Sequence, residues 1–340
     1  MARTFGVGLP LEAPVAALVD LARDVETLGY STLWANDERL ERDVYSVLAV
    51  VAGATRRLRL GPGVTNPYSR HPALTAVAVA TLDEISGGRA VLGLGAGGTN
   101  HGTLGIKREH PAAALREAVR VIRALLHGDT VTLEGRVVRL YQGHLDFTPP
   151  RPDVPIYIGA RGPRALETAG ELADGAIVGN VATPEGWRYA LEHIERGARR
   201  AGRRADALHL VAWMYTSIAP DPRAALDAIR PMVATSLVTS RPILDRLGIE
   251  MPPRFAAVMD AAGWTASRQV TGRAAAEVPD EIARRFGLAG TPADCAAQLR
   301  HLLDAVPEIG HVAIVPFGPD GQSPRGVIRQ FIEEVAARVA

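Results

Sequence analysis

The chain reads as a (β/α)₈ barrel with insertions, and three observations predict it. Short β-rich runs alternate with longer stretches whose apolar residues recur every three or four positions. Roughly eight such strand-then-helix units fit the 340 residues, which is the arithmetic of one barrel. No Gly-, Pro- or Ser-rich linker divides the chain, so residues 1–340 are expected to form a single domain. An open doubly wound sheet is the alternative that the same alternation allows.

Taken in order, the strand-like runs are TFGVGL (4–9), TLWAND (32–37), RLRLGPGV (57–64) and RAVLGLG (89–95). PIYIGA (155–160), GAIVGN (175–180), LHLVAWMYTSIA (208–219) and HVAIVPFG (311–318) complete the series. Helical periodicity runs through 13–29, 44–56, 73–87, 112–128, 163–173 and 184–202. Gly29, Gly87, Gly128 and Gly202 stand where helices should end, since glycine enters the left-handed region cheaply. Thr183-Pro184 and Thr291-Pro292 each place an N-cap residue before a proline suited to the first helical position. Two segments break the rhythm. VTLEGRVVRLY (131–141) alternates polar and apolar around Glu134-Gly135 and is expected to be an inserted hairpin. About 231–290 shows no clear strand and is expected to be a helical insertion, serving as a lid or an oligomer contact.

Composition excludes several classes. Hydrophobic residues at 47% rule out a disordered chain, and a net charge of +1 gives no global attraction to nucleic acid or anionic membrane. Lys107 is the only lysine, so Schiff-base chemistry would have to use it. Cys295 is the only cysteine, which excludes intramolecular disulfides and thiolate metal cages, and its setting in TPADCAAQL suits a buried packing residue. The histidines have no metal-ligand spacing, no G-x-S-x-G elbow occurs, and no metal is expected. No opening apolar stretch is long enough for a signal or a membrane span, so a cytoplasmic protein is expected.

In a barrel, function gathers where strands end and the following loops begin. Here those loops are Gly8-Leu9-Pro10, Asn36 to Arg39, Gly63 to Arg70, Gly95 to His101, Gly159 to Pro163 and Gly179-Asn180. Their shared richness in glycine points to a large flat ligand lying on bare backbone. IGARGPRAL also suits a phosphate, because Gly159, Ala160, Arg161 and Gly162 precede a helix opened by Pro163. GLGAGG (93–98) matches G-x-G-x-x-G in form but is followed by a loop instead of a helix, which argues against a nicotinamide site.

The stretch GPGVTNPYSRHPALTAVAVATLDEISGGRAVLGLGAG (61–97) closely resembles the coenzyme F420-dependent methylenetetrahydromethanopterin reductases, a branch of the bacterial luciferase-like superfamily. NDERLERDVYSVLAVVA (36–52), PIYIGARGPRALETAGELADGAIV (155–178) and the tail from GTPADCAAQLRHL to FGPDG (290–321) resemble the same family in the same order. The resemblance implies a (β/α)₈ barrel, a homodimer and the deazaflavin F420 as cofactor. It also implies a non-prolyl cis peptide after the third strand, at Gly63-Val64, making a bulge against the deazaflavin ring. Thr65 and Asn66 would border the ring, Asp37 would contact it, and Gly95, Ala96 and Gly97 would lie along it. Gly159, Ala160, Arg161 and Gly162, with Gly179 and Asn180, would hold the phosphate of the side chain.

The chain departs from the family at three positions. Gly98 stands where the reductases carry a carboxylate, Gly8 where they carry a glutamate, and Glu38 where a histidine is expected. If a proton must be delivered, Glu38 or His101 is the candidate, and with Asp37 these make up the catalytic set. The implied activity is hydride transfer between F420 and an organic substrate, with the one-carbon unit of methylenetetrahydromethanopterin or methylenetetrahydrofolate first. The alternatives are an FMN-dependent luciferase-type monooxygenase and a cofactor-binding protein without turnover.

Overall fold

A computed structural model describes residues 3–38, 40–97, 102–264, 267–319 and 323–339. The strands are β1 (Thr4–Leu9), β2 (Thr32–Ala35), β3 (Arg59–Pro62), β4 (Leu92–Gly95), β5 (Val131–Glu134) and β6 (Arg139–Gly143). They continue as β7 (Ile156–Ala160), β8 (Gly175–Gly179), β9 (His209–Ile218), β10 (Gly287–Gly290) and β11 (Ile309–Pro316). By backbone proximity the residues form two compact units. One takes Gly8–Ile177 and His193–His209; the other takes the chain up to Val7, Val178–Glu192 and Leu210 onward.

In the first unit β2 pairs with β3, isolated bridges Leu60↔Ala90 and Thr65↔Leu94 join the β3 and β4 segments, and β4 pairs with β7. All are parallel, and they follow chain order without the reversal that a doubly wound sheet requires. In the other unit β1 pairs with β11, β11 with β9, and β9 with β10, again all parallel. The first strand therefore lies beside the last, and the fold is a (β/α)₈ barrel. Leu58, Leu60, Leu92, Ile156 and Ile158 are fully buried, as apolar strands covered on both faces must be.

The helix ends follow the sequence signals. Asp43 caps helix Val44–Ala54 by accepting from the Ser46 amide at 2.8 Å, and Thr291 and Asp294 form a reciprocal capping box on Pro292–Ala305. Helix Pro72–Ser86 stops at Gly87, whose φ of 68° satisfies the left-handed end. The hairpin is present as β5 and β6, pairing Glu134 with Arg139. Its turn is held by the Glu117 carboxylate, which accepts from the amides of Arg136, Val137 and Val138 at 2.8–3.0 Å.

The expectation of a helical insertion over about 231–290 is corrected at both its ends. Pro231 lies inside helix Pro222–Ser240, where the missing amide is outweighed by the buried neighbours Ile229, Val233, Ala234 and Leu237. The segment also ends in β10, which half its residues being glycine had concealed. Gly287 is glycine because a β-carbon there would lie 2.3 Å from the Tyr215 carbonyl oxygen of β9.

Candidate active site

Three strand ends of the first unit build the ring-side candidate site. Gly63 continues from β3, donating its amide to the Ala35 carbonyl at 2.8 Å, and the Gly63–Val64 peptide is cis, at the bond the resemblance implies. The Val64 side chain is turned onto glycines of two neighbouring strands. A β-carbon on Gly95 would lie 2.4 Å from Val64 Cγ2, and one on Gly159 would lie 2.9 Å from Val64 Cγ1. Gly93 is closed in the same way, by Val64 Cγ1 at 3.1 Å and the Pro62 carbonyl at 2.3 Å. Bare backbone at Gly95 and Gly159 also makes room for Val64, a reason beside the flat ligand that the sequence reading expected there. Gly162 differs, because nothing lies within 4 Å of where its β-carbon would be.

Thr65 follows, completely buried. Its amide donates to the Gly93 carbonyl at 3.0 Å, and its carbonyl accepts from the Gly95 amide at 2.8 Å. Its hydroxyl donates to Asp37 Oδ2 at 2.5 Å, bringing together two of the sequence-predicted residues. Burial pushes the Asp37 carboxyl above the usual carboxylate range, against the opposing pull of the Thr65 hydrogen bond and the Arg70 charge. Asn66 is spent on its own turn: its Oδ1 accepts from the amides of Tyr68 and Ser69, and its Nδ2 donates to Ser69 Oγ at 2.8 Å. The Arg70-His71 pair is also structural. Arg70 meets Asp43 at 3.0 Å and lies over the Tyr45 ring. His71 caps helix Pro72–Ser86, accepting the Ala73 amide on Nδ1 and donating from Nε2 to the hairpin carbonyl of Arg139 at 2.8 Å.

Glu38 is half-buried on the loop after β2, as are Ala96 and Gly97 after β4, and Arg108 donates to the Gly97 carbonyl at 3.0 Å. His101 and Gly98 lie outside the described residues. Ala160, Arg161 and Gly162 are half-buried at the head of helix Pro163–Leu172, whose first amides face the loop as an anion-binding terminus requires. In the other unit a β-carbon on Gly179 would meet nothing within 4 Å, and Asn180, at φ 55°, donates from Nδ2 to the Tyr215 hydroxyl at 3.0 Å.

The sequence reading missed Trp34 and Tyr45. Trp34 Nε1, Asn36 Oδ1 and Tyr45 Oη are buried polar atoms with no hydrogen-bond partner among the described residues, and they come from β2, the loop after it and helix Val44–Ala54 respectively. Orphaned buried polar atoms are rare, and three near one strand end suit a polar heterocycle more than an apolar ligand. The spacing Asp37 to Tyr45 across the Asp43 cap was the available signal. Among the described residues no group of three His, Cys, Asp or Glu side chains is placed to hold a metal ion. Burial pushes the Cys295 thiol up to about 12, as fits an inert packing residue.

Residues 2–308 match the family described as luciferase-like monooxygenase. The chain belongs to the luciferase-like family. Within it, the chain is 36% identical over 335 residues to the 5,10-methylenetetrahydromethanopterin reductase of Methanolobus tindarius, covering 98% of this chain and 99% of that one. It is 40% identical over 298 residues to the reductase of that name from Archaeoglobus fulgidus, covering 87% and 88%. The solved coenzyme F420 dependent tetrahydromethanopterin reductase from Methanopyrus kandleri superimposes with a TM-score of 0.86 at 31% identity, covering all of both chains. These likenesses place the chain on the methylenetetrahydromethanopterin reductase-like branch of this luciferase-like family.

Proposed function

We propose that this protein is an F420-dependent oxidoreductase that moves hydride between the deazaflavin and a one-carbon unit carried on a reduced pterin, methylenetetrahydromethanopterin or methylenetetrahydrofolate. The observation that carries the reading is end-to-end similarity to reductases of that name, at 36% identity over 98% of the chain. The local geometry fits such a group: orphaned polar atoms at the end of β2, a main-chain wall at residues 63–66, and an open glycine, Gly162, at a helix head. Bound there, F420 would supply the carbon that accepts or donates hydride.

The chain's own residues position and shield. The amides of Gly159 to Gly162, with Arg161, would hold the phosphate. Val64, Thr65, Asn66, Gly95, Ala96 and Gly97 would form the ring's backing, and Asp37 would contact the ring. Proton delivery falls to Glu38 or His101. The test is titration of purified protein with F420 and with FMN, followed by the visible spectrum of reduced F420 mixed with each pterin substrate. The reading expects F420 to be held more tightly and its spectrum to change with substrate. Tighter FMN would favour a luciferase-type monooxygenase instead, and binding without turnover would favour a cofactor carrier.

A homodimer and a cytoplasmic location belong to the same proposal. Helix Val44–Ala54 carries no charged residue, and Val50 of that helix is exposed together with Leu74, Val77 and Ile85 of helix Pro72–Ser86. An apolar patch of this kind, bordered by the exposed Glu84, suits a like patch on a second copy. Leu74→Glu combined with Ile85→Glu should halve the mass measured by light scattering without unfolding the chain; an unchanged mass would exclude this face.

A further inference from the structure

We propose that Thr65 is a positioning residue whose hydroxyl sets the orientation and charge of the Asp37 carboxyl. Thr65 has no freedom of its own, because both its amide and its carbonyl are engaged by Gly93 and Gly95. The backbone of β4 thereby fixes where Oγ1 stands, and from there it reaches Asp37 Oδ2 at 2.5 Å. That short contact is what a hydroxyl donating to a carboxylate gives. Oδ1 takes no hydrogen bond from any described residue, so one hydroxyl determines which oxygen is tied and which is presented. The charged and titratable groups around Asp37 are Arg70 and Asp43, already paired with each other, and the Tyr45 phenol. Glu38 adjoins it along the chain. None of these holds the carboxyl by a hydrogen bond among the described residues. A buried threonine could satisfy its hydroxyl within its own strand; this one is directed across to the end of β2 instead.

The assignment of a catalytic consequence rests on the hydride-transfer reading above, but the contact itself can be tested without it. Protein labelled with ¹³C at the aspartate carboxyls is titrated by NMR as wild type, Thr65→Val and Thr65→Ser, with Asp37→Asn identifying the Asp37 resonance. A hydroxyl donating to the ionised form lowers a carboxyl's midpoint. Thr65→Val should therefore shift the Asp37 midpoint upward, and Thr65→Ser should restore it. An unmoved midpoint in Thr65→Val, or a serine variant that behaves like valine, overturns the proposal. Should Thr65→Val fail to fold, Thr65→Ala is read in the same way. In the F420-loaded enzyme Thr65→Val should lower kcat about tenfold with little change in KM, a loss absent from an Asp37→Asn background. If no F420 turnover is found at all, the functional reading falls while the midpoint still decides the Thr65 contact.

Discussion

Gly95 ends β4, Gly159 is the last residue but one of its neighbour β7, and Gly162 lies three residues past Gly159. In the sequence they look alike, yet they are glycine for different reasons. At 95 and 159 the missing side chain is replaced by Val64, which fills the space from an adjacent strand end. At 162 nothing fills it. Gly61, one strand earlier, shows a third case: a β-carbon there would lie 1.7 Å from the Val91 carbonyl oxygen. Absence of a side chain can thus mean backbone against backbone, a socket for a neighbour, or open space for something from outside. Only the last leaves room for a ligand, and at Gly162 that room coincides with the helix head where an anion would bind.

Substitution can break that comparison at each grade. Gly61→Ala has the largest expected effect. A backbone oxygen cannot swing aside, so the cost should exceed the 1–3 kcal/mol usual for overpacking and leave little folded protein by circular dichroism. Gly95→Ala meets a side-chain methyl instead and should cost about 1–3 kcal/mol in urea unfolding. Adding Val64→Ala should recover part of that loss, because the two changes share one space; strict additivity would show that Val64 is not what occupies the socket.

The carboxyl beside the socket sharpens the picture by pH. Burial raises Asp37 above its unfolded value, so the folded state binds the proton more tightly. Stability is then lost as pH climbs from the ordinary carboxylate value through the raised one. Asp37→Asn should be the more stable protein near neutrality, by less than the Gly95 effect. The advantage should vanish below about pH 4, where both states are protonated. Thermal melts at the two pH values read this directly. Gly162→Ala is expected to be nearly neutral, within about 0.5 kcal/mol, since its φ of −72° suits alanine and nothing is in the way. Any weakening of cofactor affinity in that variant would then report on the loop and not on the fold.

Much of the barrel was legible because local signals agreed. Helix Pro72–Ser86 announced itself by its apolar periodicity and by Gly87 at its end, and the hairpin by alternation about Glu134-Gly135. The misreadings came where a residue's local preference was overruled. Pro231 marked a boundary that falls inside a helix, and Gly287 and Gly290 argued against a strand, until the neighbours that bury one and abut the other are known. At the candidate site, Asp37 and Thr65 were both singled out, but their contact spans 28 positions and nothing in the spacing announces it. Arg70 and His71 follow the end of the third strand, and both proved to be committed to structure.

The likeness to a reductase family implied the bond at Gly63–Val64; by itself the sequence determined the alternation of strands and helices and the helix ends. Those properties are written in neighbouring residues, because periodicity, capping and turn chemistry act over a few positions. Only the tertiary structure decided that Val64 fills Gly95 and Gly159, that Thr65 holds Asp37, and which of the polar groups at the strand ends are already engaged. Such facts depend on which strand lies beside which, and a side chain's partner across a sheet is set by register and packing, not by its distance along the chain.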